Sequence, residues 1–448
     1  MDIKVFKEKV FAHAKAQGFS DCEIYFTNNE NFSVQIFKGE VKKYQNSAVM
    51  GLSFRGTFDN KMGYAFTERI DDSIVEYLVN SAKENAIIKE ETDEELYKGD
   101  ENYPVTSAYT QPTQTANEKI EMAKTMEKLA YDMDNRIKNV DYCSVSNGSS
   151  STYIANSYGL DLYEVSGSAS AYVSSLAQSL EKDSEQVKTG AYLFKQKNFA
   201  NFNAFDIAKQ ATDKAIAKLG ATTVRSGEYN IILDPKTASS LLPIFAPIFF
   251  AESVQKGFSL LKGRIGEKIA SDILNIKDDI AHANSIHEFS FDSEGVSAKN
   301  KCIIENGVLQ NFLYNLKSAK KDGTSTTGNG NKPSFKTAVG TGTLNFYIEP
   351  SDMSEDALLA ELNEGLYITS LAGLHSGTSA ISGDFSLLAE GFKVENGKKS
   401  APIEQFTIAG NFYQMLKSIT AVGDTVYFGG GTVGSPAILI ENMKIAGE

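Results

Sequence analysis

Two short stretches constrain the fold of this chain more than any other feature. Ile303-Ile304-Glu305-Asn306-Gly307-Val308-Leu309 and Phe392-Lys393-Val394-Glu395-Asn396-Gly397 both carry Glu-Asn-Gly beside or between apolar runs. Asn-Gly tolerates positive φ at two successive positions, as a tight hairpin turn demands, so each stretch predicts an antiparallel hairpin. The second half of the chain is therefore committed to sheet.

The first half reads as helices alternating with groups of strands. Ile3, Phe6, Val10 and Ala14 recur at three- and four-residue steps and stop at Gly18, which predicts a surface helix over about 3–17. Strand-like runs follow at 22–27, 32–37, 48–54 and 63–67, with turns predicted at Asn28-Asn29, Gly39 and Asp59-Asn60. A helix over about 72–86 closes this unit. Between Lys89 and Asn102 there are seven acids and two lysines, a local charge of −5, followed by Pro104, Pro112 and a polar tract. This composition predicts a solvated connector over 89–115. Thr115-x-x-Glu118 is a capping box that opens a helix to about Asp134. Residues 140–194, rich in Ser, Tyr and Val, predict an antiparallel meander with turns at Asn147-Gly148 and Tyr158-Gly159. Another helix runs over about 203–219. The reading is a multi-domain α+β chain with mixed and antiparallel sheets and flanking helices: an N-terminal α+β domain over 1–113, a helix and meander over 114–225, and a sheet-rich C-terminal domain over 226–448.

Composition excludes some functions. A formal charge of −13 argues against binding nucleic acid through its phosphates, which needs a basic face. The longest apolar run, Leu241 to Ala251, has eleven residues with Pro243 and Pro247 among them, whereas a membrane span needs about 20. Met1-Asp2-Ile3-Lys4 enters the first helix with no secretory pattern, so the expected compartment is the cytoplasm. Cys22, Cys143 and Cys302 are odd in number and far apart, as reduced thiols are.

The chemical motifs are sparse. Gly340-x-Gly342, Gly429-Gly430-Gly431 and Gly434 lack the spacing of a phosphate loop and predict close backbone approach instead. His13 lies on the first helix. His282 and His287, with Glu288 and Asp292, contain metal-ligand types, but in what reads as a polar loop. His375-Ser376-Gly377 with Asp384 contains triad types without a nucleophile elbow.

The remaining signal lies in Ala251-Glu252-Ser253-Val254-Gln255-Lys256-Gly257, after a predicted strand and an apolar helix start. With Phe291-Asp-Ser-Glu-Gly-Val296, Ile304-Glu-Asn-Gly-Val-Leu309, Thr327-Gly-Asn329, Ser382-Gly-Asp-Phe-Ser386, Gly391-Phe-Lys-Val-Glu-Asn-Gly397 and Thr407-Ile-Ala-Gly-Asn411 in this order, the chain resembles the TldD/PmbA metallopeptidases, also called modulators of DNA gyrase, in the PmbA (TldE) branch. The resemblance covers most of the chain and is dense from residue 228 on. In the TldD branch a His-Glu-x-x-x-His helix supplies two zinc ligands and a general base, and a cysteine near the C-terminus supplies a further ligand. Here the first histidine falls on Ala251, the glutamate on Glu252 and the second histidine on Lys256, while Phe428 to Gly434 holds no cysteine. Ala251 has no lone pair and a Lys256 ammonium repels a divalent cation. Histidines five apart also lie about 140° apart on a regular helix, so the family motif implies a kink or π-turn. Without metal, Glu252 and Lys256 are set four apart for an ion pair.

The resemblance implies no cofactor in this chain, zinc on a TldD-like partner, and cleavage or trimming of small unstructured peptides in a cleft that this chain helps to enclose. Strand addition of an extended peptide is the expected binding mode, with the contacts around His375, Ser376, Gly377, Gly383, Asp384 and Phe385. The alternatives are a metal-free homodimeric peptide-binding or regulatory protein, with any gyrase connection through a peptide ligand, and a self-sufficient hydrolase using His282, His287 or His375.

Overall fold

The computed structural model describes residues 1–90, 94–181 and 186–448. Residues 91–93 of the acidic connector and 182–185 of the meander lie outside the described residues.

The first helix, α1 (Ile3–Ala16), starts at Asp2, whose carboxylate accepts from the Lys4 amide, and it buries Phe6, Val10 and Ala14 as the spacing predicts. Three strands follow: β1 (Asp21–Phe37), β2 (Glu40–Phe58) and β3 (Lys61–Thr67). The turns at Gly39 and Asp59-Asn60 form with positive φ. The turn predicted at Asn28-Asn29 does not form, because both residues lie inside β1, opposite Met50 and Val49 of β2 and Ser151 and Ser150 of β4 (Ile137–Asn156). Asn147-Gly148 likewise lies within β4, where a Cβ on Gly148 would stand 2.9 Å from the Glu30 carbonyl. The absent side chain serves close strand approach there, not a turn. Helix α2 (Val75–Ile88) precedes the connector. Helix α3 (Ala116–Met133) begins at the reciprocal Thr115–Glu118 capping box. The meander is β4, β5 (Asp161–Gln178) and β6 (Val187–Gln196), and α4 (Ala204–Ile216) follows it.

These six strands form one antiparallel sheet in the order β3-β2-β1-β4-β5-β6. Ile24 of β1 packs with Phe6 and Leu78 of α1 and α2, and Val34 and Ile36 pack with Ala123, Met126 and Ile207 of α3 and α4. These β1 residues share one parity, so all four helices cover one face. The other face, carrying Tyr25 and Ile154, is covered by Phe291 and Phe335 from the second half of the chain.

That half contains β7 (Gly227–Leu233), α5 (Pro235–Phe245), α6 (Ala251–Gln255), β8 (Ile276–Asp279), β9 (Lys301–Glu305), β10 (Val308–Leu309), α7 (Leu316–Asp322), the short pair β11 (Gly330–Asn331) and β12 (Gly340–Thr341), β13 (Asn345–Ile348), α8 (Glu355–Leu362), β14 (Gly365–Ala372), β15 (Asp384–Glu395), β16 (Lys398–Asn411), α9 (Phe412–Met415), β17 (Ile419–Val422), β18 (Val433–Gly434) and β19 (Ile438–Ala446). Both Asn-Gly hairpins form: φ is 49° and 76° at Asn306 and Gly307, and 51° and 70° at Asn396 and Gly397. One sheet runs β16-β15-β14-β7-β19-β17, and a further β16–β19 pairing closes five of its strands into a small barrel. The other runs β10-β9-β8-β13-β18. Ile231, Leu366, Ile368, Leu387, Phe406 and Ile440 are buried in the core that the barrel shares with α5 and α6. The fold class is α+β, with several mixed and antiparallel sheets. No helix among the described residues is long and apolar enough to cross a membrane. The three cysteines are free, and burial pushes the Cys22 and Cys143 thiols up to about 12.

The connector departs from its expected solvated character. Tyr103 Oη donates to the Gly295 carbonyl at 2.9 Å and sets its ring edge-on to Phe291, and Asp100 accepts from the Ser297 amide at 2.8 Å. Glu94 and Glu95 pair with Lys317 and Lys320 of α7. Its acids meet lysines distant in sequence, so it straps the second half of the chain to the first.

Candidate functional site

The apolar run 241–251 is divided at Pro247, whereas Pro243 lies inside α5. Asp234 caps α5 through the Thr237 amide and Pro235 occupies its first turn. Pro247 lies in a 3-10 turn, Ala246–Phe249, which cannot continue as a regular α-helix because the ring removes a donor. Phe250 is extended and pairs in parallel with Leu313, and the Ala251 amide donates to the Leu313 carbonyl at 2.9 Å. The motif helix α6 then has only five residues. It ends in a Schellman motif: Phe258 N donates to Ser253 O, Gly257 N to Val254 O, and Gly257 takes φ of 76°.

Within this turn Ala251 is 1% exposed, its methyl group packed into the central core. Glu252 and Lys256 point outward, and Lys256 Nζ lies 2.6 Å from Glu252 Oε1. An exposed pair of this kind contributes about 0.2–0.5 kcal/mol. The donor set does not fit zinc. One position has no lone pair, the second is an ammonium already bonded to the one carboxylate, and Phe428–Gly434 offers no thiolate.

Phe428–Gly434 does approach this region. Val433 pairs with Phe346, whose ring lies 5.7 Å from that of Phe249, just before the slot. The Gly430 carbonyl is occupied by Lys195 Nζ at 3.0 Å and lies 3.1 Å from His287 Nε2. Burial holds His287 below the usual imidazole range and therefore neutral. His282 lies edge-on to Tyr347 and accepts from the Asn284 amide through Nδ1. Glu288 binds Lys197 and Ser107, and both carboxylate oxygens of Asp292 are taken by the amides of Glu294, Val296 and Gly330. The four sequence candidates for a metal cluster thus face different partners. Among the described residues no three His, Cys, Asp or Glu side chains converge on a metal position.

The loop from Gly373 to Gly383 joins β14 to β15. His375 and Ser376 are exposed at its tip, and Ser386 N donates to the Gly377 carbonyl at 2.8 Å. Asn411 Nδ2 donates to Asp384 Oδ1 at 2.9 Å and to the Ser382 carbonyl at 2.8 Å, and the Asn411 amide together with the Ser382 side chain holds the Asp384 carboxyl below the usual range. The Gly383 carbonyl accepts from Phe412 N at 2.7 Å. Asp384 is engaged with Asn411, not with His375, so the triad types do not assemble. Phe385, expected at the cleft surface, is buried against Phe245, its ring 6.2 Å away. Strand β14 runs past its last parallel pairing, Ile368 with Leu233, so among the described residues no strand pairs with one backbone edge of Thr369–Ala372 beside this loop.

Sequence reasoning missed a buried ion cluster between the halves. Glu23 and Arg55 are register partners on β1 and β2, joined at 2.7 Å. Arg55 Nη1 lies 3.9 Å from Glu294, which also accepts from the Leu316 amide at 2.8 Å. Lys332 reaches from the second half over the rings of Tyr25 and Tyr64 to Ser53 Oγ. Burial pushes Glu294 up to about 8 and Asp292 up to about 6, and lowers Lys332 to about 7. The available signal was opposite charge at paired positions inside two apolar strands.

Family models match three consecutive parts of the chain: PmbA/TldA metallopeptidase domain 1 over residues 22–86, the central domain over 109–219 and the C-terminal domain over 226–447. The metalloprotease PmbA of Escherichia coli O157:H7 is 26% identical over 97% of this chain and 94% of its own length. An uncharacterised protein of Methanocaldococcus jannaschii is 28% identical over 93% and 94%. The crystal structure of a candidate modulator of a DNA gyrase from Thermotoga maritima superposes with a TM-score of 0.91 at 30% identity, covering 99% of this chain and 100% of that one. TldE from Thermococcus kodakarensis shares the fold with a TM-score of 0.87 at 23% identity, covering 98% and 100%. Matched along most of its length by these models and relatives, the chain belongs to the PmbA/TldD metallopeptidase family.

Proposed function

We propose that this chain is the metal-free, TldE-like subunit of a two-chain peptidase whose zinc is carried by a TldD-like partner, and that it shapes the cleft for small unstructured peptides. The observation that carries the reading is the metal slot itself: a buried methyl group at Ala251 and an ion pair between Lys256 and Glu252 stand where ligands would be needed. The edge of Thr369–Ala372 that has no strand partner among the described residues, beside the exposed His375 and Ser376, offers backbone groups on which an extended peptide adds as a further strand. Glu252 carries no general-base role in this chain, since its carboxylate neutralises Lys256.

Metal analysis and subunit mixing test this together. The purified chain is expected to carry zinc on the order of 0.1 per chain or less, to leave an unfolded peptide intact, and to support cleavage once mixed with a TldD-like chain. Stoichiometric zinc with hydrolysis by the single chain would falsify the proposal. Failure of the two chains to associate or cleave would favour a metal-free homodimeric binding protein instead.

A further inference from the structure

Between the loop that leaves α6 and the short helix α9 lies a cavity of about 240 Å³. Leu260, Ile269 and Leu416 form apolar wall, and Arg264 and Lys417 also line it. No acidic side chain is among the lining residues. Arg264 bonds Glu267 through Nε alone, at 2.8 Å, and among the described residues neither its Nη nitrogens nor Lys417 have an ion pair. Phe258, Leu260 and Ile265 are each about half exposed on the same loop. Two cations over an apolar wall select a ligand that is anionic at one end and apolar beside it. The planar guanidinium fork suits a carboxylate in particular.

The cavity touches both parts of the candidate site. Its wall residue Asn411 holds Asp384 and the Ser382 carbonyl of the cleft loop, and Tyr413 Oη accepts from Leu260 N at 3.2 Å. The loop that carries Leu260 and Arg264 is itself tied to α6 by the Phe258–Ser253 bond. We propose that this cavity is a subsite for the C-terminal end of a peptide. The free carboxylate lies between Arg264 and Lys417, and the last apolar side chain lies against Leu260, Ile269 and Leu416. The choice of a peptide over another amphipathic carboxylate rests on the reading of this chain as a cleft-forming peptidase subunit.

The test uses the chain mixed with a TldD-like chain, and two fluorescein-labelled unstructured peptides that end in leucine, one with a free carboxylate and one amidated. Fluorescence anisotropy is expected to show the acid binding about tenfold more tightly than the amide, a preference of the size charge-assisted hydrogen bonds provide. Arg264→Gln and Lys417→Gln should each cut that preference to about twofold or less with the amide's affinity unchanged, and Lys417→Arg should keep it. In cleavage assays the same variants should raise KM for the acid and leave kcat in place. Equal binding and cleavage of the two peptides by the unaltered chain would overturn the subsite and leave the peptidase reading standing. A persistent acid-over-amide preference without cleavage would overturn the peptidase reading and leave the subsite. Competition by octanoate or inorganic phosphate as strong as that of the peptide acid would overturn the peptide assignment.

Discussion

Arg55 donates from Nε to Glu23 and holds Nη1 near Glu294, while its Nη2 and one oxygen of Glu23 find no partner among the described residues. Removing the guanidinium leaves the buried Glu23 without its ion-pair partner, so Arg55→Met should cost about 3–5 kcal/mol in denaturant unfolding. Arg55 and Lys332 face Glu23 and Glu294, while Asp292 lies beside Glu294 and in the field of Lys301, so an ionised Glu294 meets two further carboxylates, Asp292 and Glu23. Glu294 takes up the proton, because it is buried and lies beside Asp292. Its folded pKa lies above the unfolded value, so the native state binds more protons than the unfolded one between about pH 4.5 and 8. This group's stabilising contribution is therefore full at low pH and lost as pH rises through that window. Lys332 acts in the opposite sense above about pH 7, where the unfolded chain binds the extra proton. Glu294→Gln mimics the protonated acid. It should match the unaltered chain at and below about pH 4.5 and gain on it as pH rises from 5 to 8. Denaturant midpoints across that range would refute the assignment if the two chains ran parallel.

The two Asn-Gly hairpins have the same turn but different surroundings. A Cβ on Gly397 would approach Ala360 Cα to 3.1 Å, whereas one on Gly307 would come within 2.6 Å of the Ala270 and Ser271 carbonyl oxygens. Gly397→Ala should cost about 1–2 kcal/mol for its positive φ, and Gly307→Ala more, because backbone oxygens cannot swing aside. Thermal unfolding that ranked them in reverse would contradict these packings. In the connector, Tyr103→Ala removes two hydrogen bonds, one to the Gly295 carbonyl and one from the Asp100 amide, and one edge-to-face ring pair, together about 3 kcal/mol, so proteolytic nicking between residues 94 and 110 should rise on the order of a hundredfold. Unchanged nicking would mean that other contacts hold the strap. These elements also mark what could be read in advance. The hairpins, the capping box and the Phe6-Val10-Ala14 face were legible because their causes are local. Asn28-Asn29 and Asn147-Gly148 were misread because their backbone groups are flanked by strands on both sides, one of them distant in sequence, and the acidic connector because Lys317 and Lys320, which pair with Glu94 and Glu95, lie more than two hundred residues away.

Across the whole molecule, the metal slot is assembled from distant segments. Ala251 and Lys256 border one side, and Phe428–Gly434 reaches the region only because β18 adds to β13. The absence of ligand side chains at Ala251 and Lys256 was legible residue by residue, but the burial of Ala251 and the occupation of the Gly430 carbonyl depend on tertiary packing. Ala251→His also places a ring where a methyl group now fills the core, a small-to-large change that costs about 1–3 kcal/mol. Lys256→His frees Glu252 but adds only a second imidazole on the exposed side. Zinc needs at least three protein ligands for tight binding, and Phe428–Gly434 supplies no thiolate. The double variant Ala251→His with Lys256→His should therefore lose stability without gaining zinc affinity or activity in competition against a chromophoric chelator. Stoichiometric zinc retained by that variant would mean that a further side chain, with His375 the exposed candidate, swings in to complete the site.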